Sequence, residues 1–305
     1  VGRLYDLPTG YGALFLYLLG GASLVPAVGY MGGKRTLAPE IAEAQGLGPG
    51  LRPDEVILAD AGCPGWVWPE LLDKQRARRV GDVLGSWGGE GPVELWERLV
   101  ALPPFEDPSE RAAQVLWLQG RTASSTPLQW DGANWVMATG ARGGARRGET
   151  FKASQKPLVC RGTWRGEYSA GLRSPLTVAR RIAAISRTLA SHRVRFHAGD
   201  LFEVLDAGLG DVVYLDPDYQ GCTSYGATVP RLRLLDEAEN CRARGARGAR
   251  VAISEAVPLP LPGWWHLDLT RPGGKAEWLT MSHPPQHRQL RLPAPPVPST
   301  PGAAP

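Results

Sequence analysis

The stretch that most constrains this chain is Asp211-Val212-Val213-Tyr214-Leu215-Asp216-Pro217-Asp218-Tyr219. A β-branched and apolar run that stops at Asp-Pro-Asp-Tyr predicts a buried parallel strand delivering polar groups to the carboxyl edge of a sheet. Ligands and reacting groups collect at that edge in open α/β sheets. The Asp216 carboxylate and the Pro217 carbonyl can accept hydrogen bonds from an amino group, and the Tyr219 ring can stack on a flat face. A strand followed by a plain Pro-Asp turn accounts for the same residues.

Other segments extend an α/β pattern. Val251-Ala252-Ile253-Ser254-Glu255 and Val194-Arg195-Phe196-His197 are predicted strands, the second running into Gly199-Asp200. Val56 to Ala59, followed by Asp60, Gly62 and Gly65, is predicted to be the first strand of a doubly wound sheet, with a glycine turn into a helix as in nucleoside-cofactor loops. Arg79-Val80-Gly81 is a predicted second strand ending in Asp82, whose carboxylate would suit ribose hydroxyls or, alternatively, sit exposed on a loop. Helices are expected over about 37–43, within 94–118, over 177–191 and over about 232–244, from apolar positions at helical spacing. A length of 305 residues suffices for an α/β core with a small second domain or large insertion.

No charge occurs from Tyr11 to Gly33, which raises the question of a membrane span. The glycines and Pro26 interrupt it, and a short buried helix is expected instead, with no membrane partner and a cytoplasmic location. Gly32-Gly33-Lys34 then offers a close backbone approach and a point charge suited to a carboxylate, or else a glycine turn with a solvated lysine. The four cysteines are scattered without a C-x-x-C pair, so no zinc site or disulfide framework is expected and no metal is implied.

Residues 121–173 change character. Trp130, Trp135, Phe151, Trp164 and Tyr168 alternate with Arg142, Arg146, Arg147, Lys152, Lys156, Arg161 and Arg165. Basic groups beside β-forming aromatics suit phosphate contact and groove reading, although a solvated loop has the same composition. The net charge of +4 agrees with a polyanionic partner without requiring one. Gln220 to Pro230 has the small-residue composition of a lid, and the tail over 289–305 is proline-rich, as in disordered segments.

Tyr30-Met31-Gly32-Gly33-Lys34, followed by Asp216-Pro217-Asp218-Tyr219, resembles the D12-class, Dam-like adenine-specific DNA methyltransferases, which pair Y-x-G-G-K with D-P-P-Y in this order. Val251 to Glu255 is similar to that family's next strand, and Lys275-Ala276-Glu277-Trp278-Leu279 to its late K-x-x-E-x-L hairpin. The resemblance implies a Rossmann-like doubly wound methyltransferase sheet, formed by residues 1–120 and 174–288, with a target-recognition insertion over 121–173. It implies methyl transfer from S-adenosylmethionine to the N6 amine of a flipped adenine in double-stranded DNA. Asp216, Pro217 and Tyr219 would be catalytic. Tyr30, Gly32, Gly33 and Lys34 would meet the cofactor's methionine end, and Asp60, Gly62, Gly65, Asp82 and Asp200 its nucleoside. Arg142, Arg146, Arg147, Lys152, Lys156, Arg161 and Arg165 would contact DNA. The chain departs from the family at Asp218, where proline is usual, and at Asp60 to Gly65, where acid-Pro-Phe-x-Gly-x-Gly is usual. The alternatives are an RNA or protein amide methyltransferase and a non-catalytic nucleic-acid binder.

Overall fold

The computed structural model describes residues 1–7, 12–24, 26–27, 36–60, 62–120, 128–137, 174–217, 230–244, 248–272, 274 and 276–286. Among these residues the centre is a seven-stranded sheet made of β1 (Arg3–Leu7), β2 (Glu55–Ala59), β5 (Val194–His197), β6 (Val212–Leu215), β7 (Arg250–Glu255), β8 (Trp265–Asp268) and β9 (Trp278–Met281). The spatial order is β5-β2-β1-β6-β7-β9-β8. The first five of these lie parallel, and β9 runs antiparallel between β7 and β8. Numbered by chain order within the sheet alone, this is 3-2-1-4-5-7-6, a Rossmann-compatible order with one antiparallel strand inserted near its end.

The expected strands at β2, β5, β6 and β7 are present, but β2 is not the central one. That place belongs to β1, near the first residue of the chain. Leu4 pairs in register with Val56 on one side and Val212 on the other. Its sequence, Arg-Leu-Tyr-Asp-Leu, lacks the long β-branched run that marks a buried parallel strand. Side-chain alternation sends Leu4 to one face and Tyr5 and Leu7 to the other, where all three are buried.

Helices cover both faces. Leu4, Val56, Leu58, Val212 and Tyr214 pack against α1 (Ala13–Gly20), α2 (Ala38–Ala44), α3 (Pro64–Leu72), α4 (Lys74–Ser86), α5 (Pro92–Val100), α6 (Pro108–Gln119) and α7 (Pro175–Leu189). Tyr5, Leu7, Ile57, Val213 and Ile253 pack against α8 (Arg231–Ala243) and the chain around Leu201 and Leu205. The helix starts are chemically marked. Asp73 accepts the amides of Gln75 and Arg76 at α4, Asp107 those of Ser109 and Glu110 at α6, and Ser174 that of Thr177 at α7.

One sequence expectation fails here: Arg79-Val80-Gly81 is not a strand but lies in the middle of α4. Ala77, Val80 and Leu84, spaced three and four apart, form its buried face, and the aspartate cap starts the helix ahead of them. Within residues 121–173, the described hairpin packs into the main body rather than standing apart from it. Its strands β3 (Leu128–Trp130) and β4 (Trp135–Met137) place Leu128 and Trp135 in the larger core. The Trp135 indole N–H donates to the Leu102 carbonyl at 2.8 Å, and the Leu128 amide donates to Gln119 Oε1 at 2.9 Å. Among the described residues no helix is long and apolar enough to cross a membrane.

Candidate active site at the carboxyl edge

The strand order reverses between β1 and β6. From β1 the chain proceeds to β2 on one side, and from β6 to β7 on the other, so a crevice opens outside the carboxyl ends of β1 and β6. Asp6, the penultimate residue of β1, and Asp216, directly after β6, stand there. The Asp216 amide donates to the Leu7 carbonyl at 2.8 Å, which continues the ladder one step past β6 and fixes where Pro217 leaves the sheet. Pro217 is buried and Asp216 half-buried.

Asp6 is 4% exposed, and its Oδ2 accepts the Phe15 amide at 3.2 Å in the first turn of α1. Burial pushes its carboxyl well above the usual carboxylate range; the Phe15 amide opposes this and the nearby Asp216 charge adds to it. Burial likewise raises Tyr214, again with a contribution from Asp216, and the Tyr214 hydroxyl lies 2.8 Å from that of Ser254. Asp6 opens the sequence Asp6-Leu7-Pro8-Thr9-Gly10-Tyr11-Gly12, an acid followed by Gly-x-Gly between the central strand and α1. Residues 8–11 lie outside the described residues. Gly12 is the N-cap of α1 with φ 71°, and a Cβ there would lie 2.0 Å from the Phe15 ring, so only glycine fits. Gly12 brings no side chain to cap α1, so apart from Asp6 at the Phe15 amide no side chain among the described residues caps the first turn at the crevice end of the helix.

Acids also end the neighbouring strands, each differently engaged. Asp60, after β2, accepts the Gly62 amide on Oδ1 at 2.8 Å, and a Cβ on Gly65 would lie 3.2 Å from the Asp60 carbonyl. The Asp60, Gly62 and Gly65 loop is therefore a tight turn that lets α3 pack closely on β2, not an open glycine cradle on the central strand. Asp200, beyond β5, caps a short 3-10 turn through the Phe202 amide at 3.0 Å and pairs with Arg233 at 2.9 Å. Glu255 ends β7 fully buried; it pairs with Arg231 at the start of α8 at 2.6 Å and accepts the Ala256 amide at 2.7 Å. Arg231 thereby ties the start of α8 to the sheet.

Asp82 does not join this row. It sits exposed on α4, in the groove between α4 and α7, so its expected place at a strand end is corrected along with the strand. Tyr30, Gly32, Gly33, Lys34, Asp218, Tyr219, Arg142, Arg146, Arg147, Lys152, Lys156, Arg161 and Arg165 lie outside the described residues. Asp6 and Gly12 were missed by sequence reasoning. The signal that could have found them was the acid-x-x-x-Gly-x-Gly spacing, which matches acid-Pro-Phe-x-Gly-x-Gly at the acid and both glycines, better than Asp60 to Gly65 does. Among the described residues no cluster of His, Cys, Asp or Glu could hold a metal ion. No protein-family model matches the chain, and no curated protein matches it either.

Proposed function

We propose that the chain is an S-adenosylmethionine-dependent methyltransferase acting on the exocyclic N6 amine of adenine in double-stranded DNA. The observation that carries this is the juxtaposition of Asp6 and Asp216-Pro217 at the point where the sheet order reverses, with a glycine-capped helix start beside them. The groups present suit this cofactor. The first-turn amides of α1 favour a carboxylate, and the acids ending β1 and β2 favour hydroxyls and positive charge. When bound, S-adenosylmethionine supplies a methyl group on a cationic sulfur.

The chain's own residues orient the acceptor. Held by the Leu7 carbonyl through its amide, Asp216 presents its carboxylate at a fixed height above β6, and the Pro217 carbonyl is the second acceptor. Two acceptors on an amine's hydrogens direct its lone pair along one line, and such positioning supplies much of the rate in a direct transfer. Tyr219 would stack on the extruded base, and Lys34 would meet the carboxylate of the cofactor. Replacement of the family's proline by Asp218 leaves both acceptors in place. The test is incubation of purified protein with methyl-deuterated S-adenosylmethionine and DNA of varied sequence, followed by mass spectrometry of the nucleosides. Labelled N6-methyladenine is expected from wild type and none from Asp216→Ala. Label appearing only in RNA or protein, or in neither, would refute the assignment.

A further inference from the structure

We infer that the groove between α4 and α7 is a track for the phosphodiester backbone of the DNA, an assignment that rests on the proposed DNA substrate. The groove has a volume of about 570 Å³. Lys74 and Arg78 line it from α4, and Arg180 and Arg187 from α7. All four are exposed, and among the described residues none is engaged by a carboxylate. Their neighbours differ: Arg76 pairs with Glu70 and Arg79 with Asp107, so α4 sends its paired cations to other helices and its remaining ones to the groove. Arg187, which lines the groove, donates through Nε to the Ala183 carbonyl of its own helix at 3.2 Å. Among the described residues, Asp82 is the one acid in the lining.

The floor is made of small residues, Ala77, Gly81 and Gly85 against Ala179 and Ala183, so a ligand can approach the helix backbones while the long cations flank it. Four exposed guanidinium or ammonium groups lining two helices make the groove electropositive, which attracts a polyanion. A 13-residue helix is roughly 20 Å long, a span that matches a run of phosphates and greatly exceeds a single phosphate ion. The orientation also fits. Gly88, just past α4, lies against Leu176 at the start of α7, so the helices run antiparallel. α7 ends only four residues before β5 begins, which puts the Leu176 end of the groove toward the carboxyl edge where Asp6 and Asp216 stand. Ser174, at that end, directly follows the Arg- and Lys-rich stretch of the insertion in sequence.

The test measures binding of a mixed-sequence duplex across a salt series, with cofactor affinity as a control for folding. Changing Lys74, Arg78, Arg180 and Arg187 together to Gln should flatten the slope of log affinity against log salt by up to about 3 to 4 and weaken binding at least tenfold at low salt. Asp82→Asn should tighten binding by about two- to fivefold at low salt, since one repulsive charge leaves the track. A gain of that kind cannot arise from misfolding. If wild type methylates DNA yet both variants keep its slope and affinity, the groove assignment falls while the methyltransferase assignment stands. If wild type binds no duplex, the DNA track is overturned.

Discussion

Asp6 carries a proton more readily than an ordinary aspartate, because its carboxylate would be buried close to Asp216, and the Phe15 amide offsets only part of the lost hydration. A folded pKa above the unfolded value of about 3.9 gives a contribution that is fully present below that value and is lost as pH rises through the folded pKa. Asp6→Asn keeps an acceptor for the Phe15 amide and removes the ionisation. Urea midpoints should therefore rise in the variant relative to wild type at pH 8 and converge near pH 3. A variant less stable than wild type at pH 8, with the deficit shrinking as pH falls toward 3, would show that the carboxylate is ionised and useful in the free protein. A bound cationic ligand would favour the ionised form, so the stabilising substitution should also weaken cofactor binding, the usual cost of a functional charge in a dry place.

At the scale of elements, β1 is held in the centre by more than its ladder. Asp211, at the amino end of β6, accepts the Arg3 backbone amide at 2.7 Å, the Arg3 guanidinium at 2.8 and 3.1 Å, and the Gly208 amide at 3.0 Å. The Asp211 side chain is 7% exposed and its donors are half-buried, so removing it strips the Arg3 and Gly208 amides and the Arg3 Nε of this acceptor while the outer Arg3 nitrogens keep Asp206. Asp211→Ala should cost about 2 kcal/mol in chemical denaturation, as loss of hydrogen bonds to a charged group requires; a loss under about 0.5 kcal/mol would be within the range of ordinary surface changes and would show the clamp to be idle. The helical state of α4 has its own check. Gly81 sits inside the helix with open space where the methyl group of an alanine would go, so Gly81→Ala should stabilise by roughly 0.5 to 1 kcal/mol, whereas a strand ending would gain nothing comparable.

Across the whole molecule, long apolar runs and helical spacing made β2, β5, β6, β7 and most of the helices legible from sequence. The two failures have one cause. β1 is five residues with a charge on either side of its Leu-Tyr pair, and it becomes central because β2 and β6 supply ladder partners on both sides, which no local window reveals. Arg79-Val80-Gly81 looked strand-like in a short window, while Ala77, Val80 and Leu84 show the helical period only over a longer one. With β1 at the centre, the acid and Gly-x-Gly that follow the central strand in sequence are Asp6, Gly10 and Gly12, and Asp60, Gly62 and Gly65 follow its neighbour β2. The place of Asp216 and Pro217 at the end of a buried strand, by contrast, was legible because an apolar run ending in a polar, proline-fixed turn needs no tertiary partner to be recognised.

The proposed function requires the cofactor to sit over β1 and β6, against the start of α1. Calorimetric titration of S-adenosylmethionine into wild type, Asp6→Asn and Asp82→Asn tests it directly. Wild type should bind, Asp6→Asn should bind about tenfold or more weakly, as loss of a charge-assisted contact worth roughly 1 to 3 kcal/mol requires, and Asp82→Asn should match wild type. Undiminished affinity in Asp6→Asn together with lost affinity in Asp82→Asn would contradict it, and so would the absence of any binding by the wild-type protein.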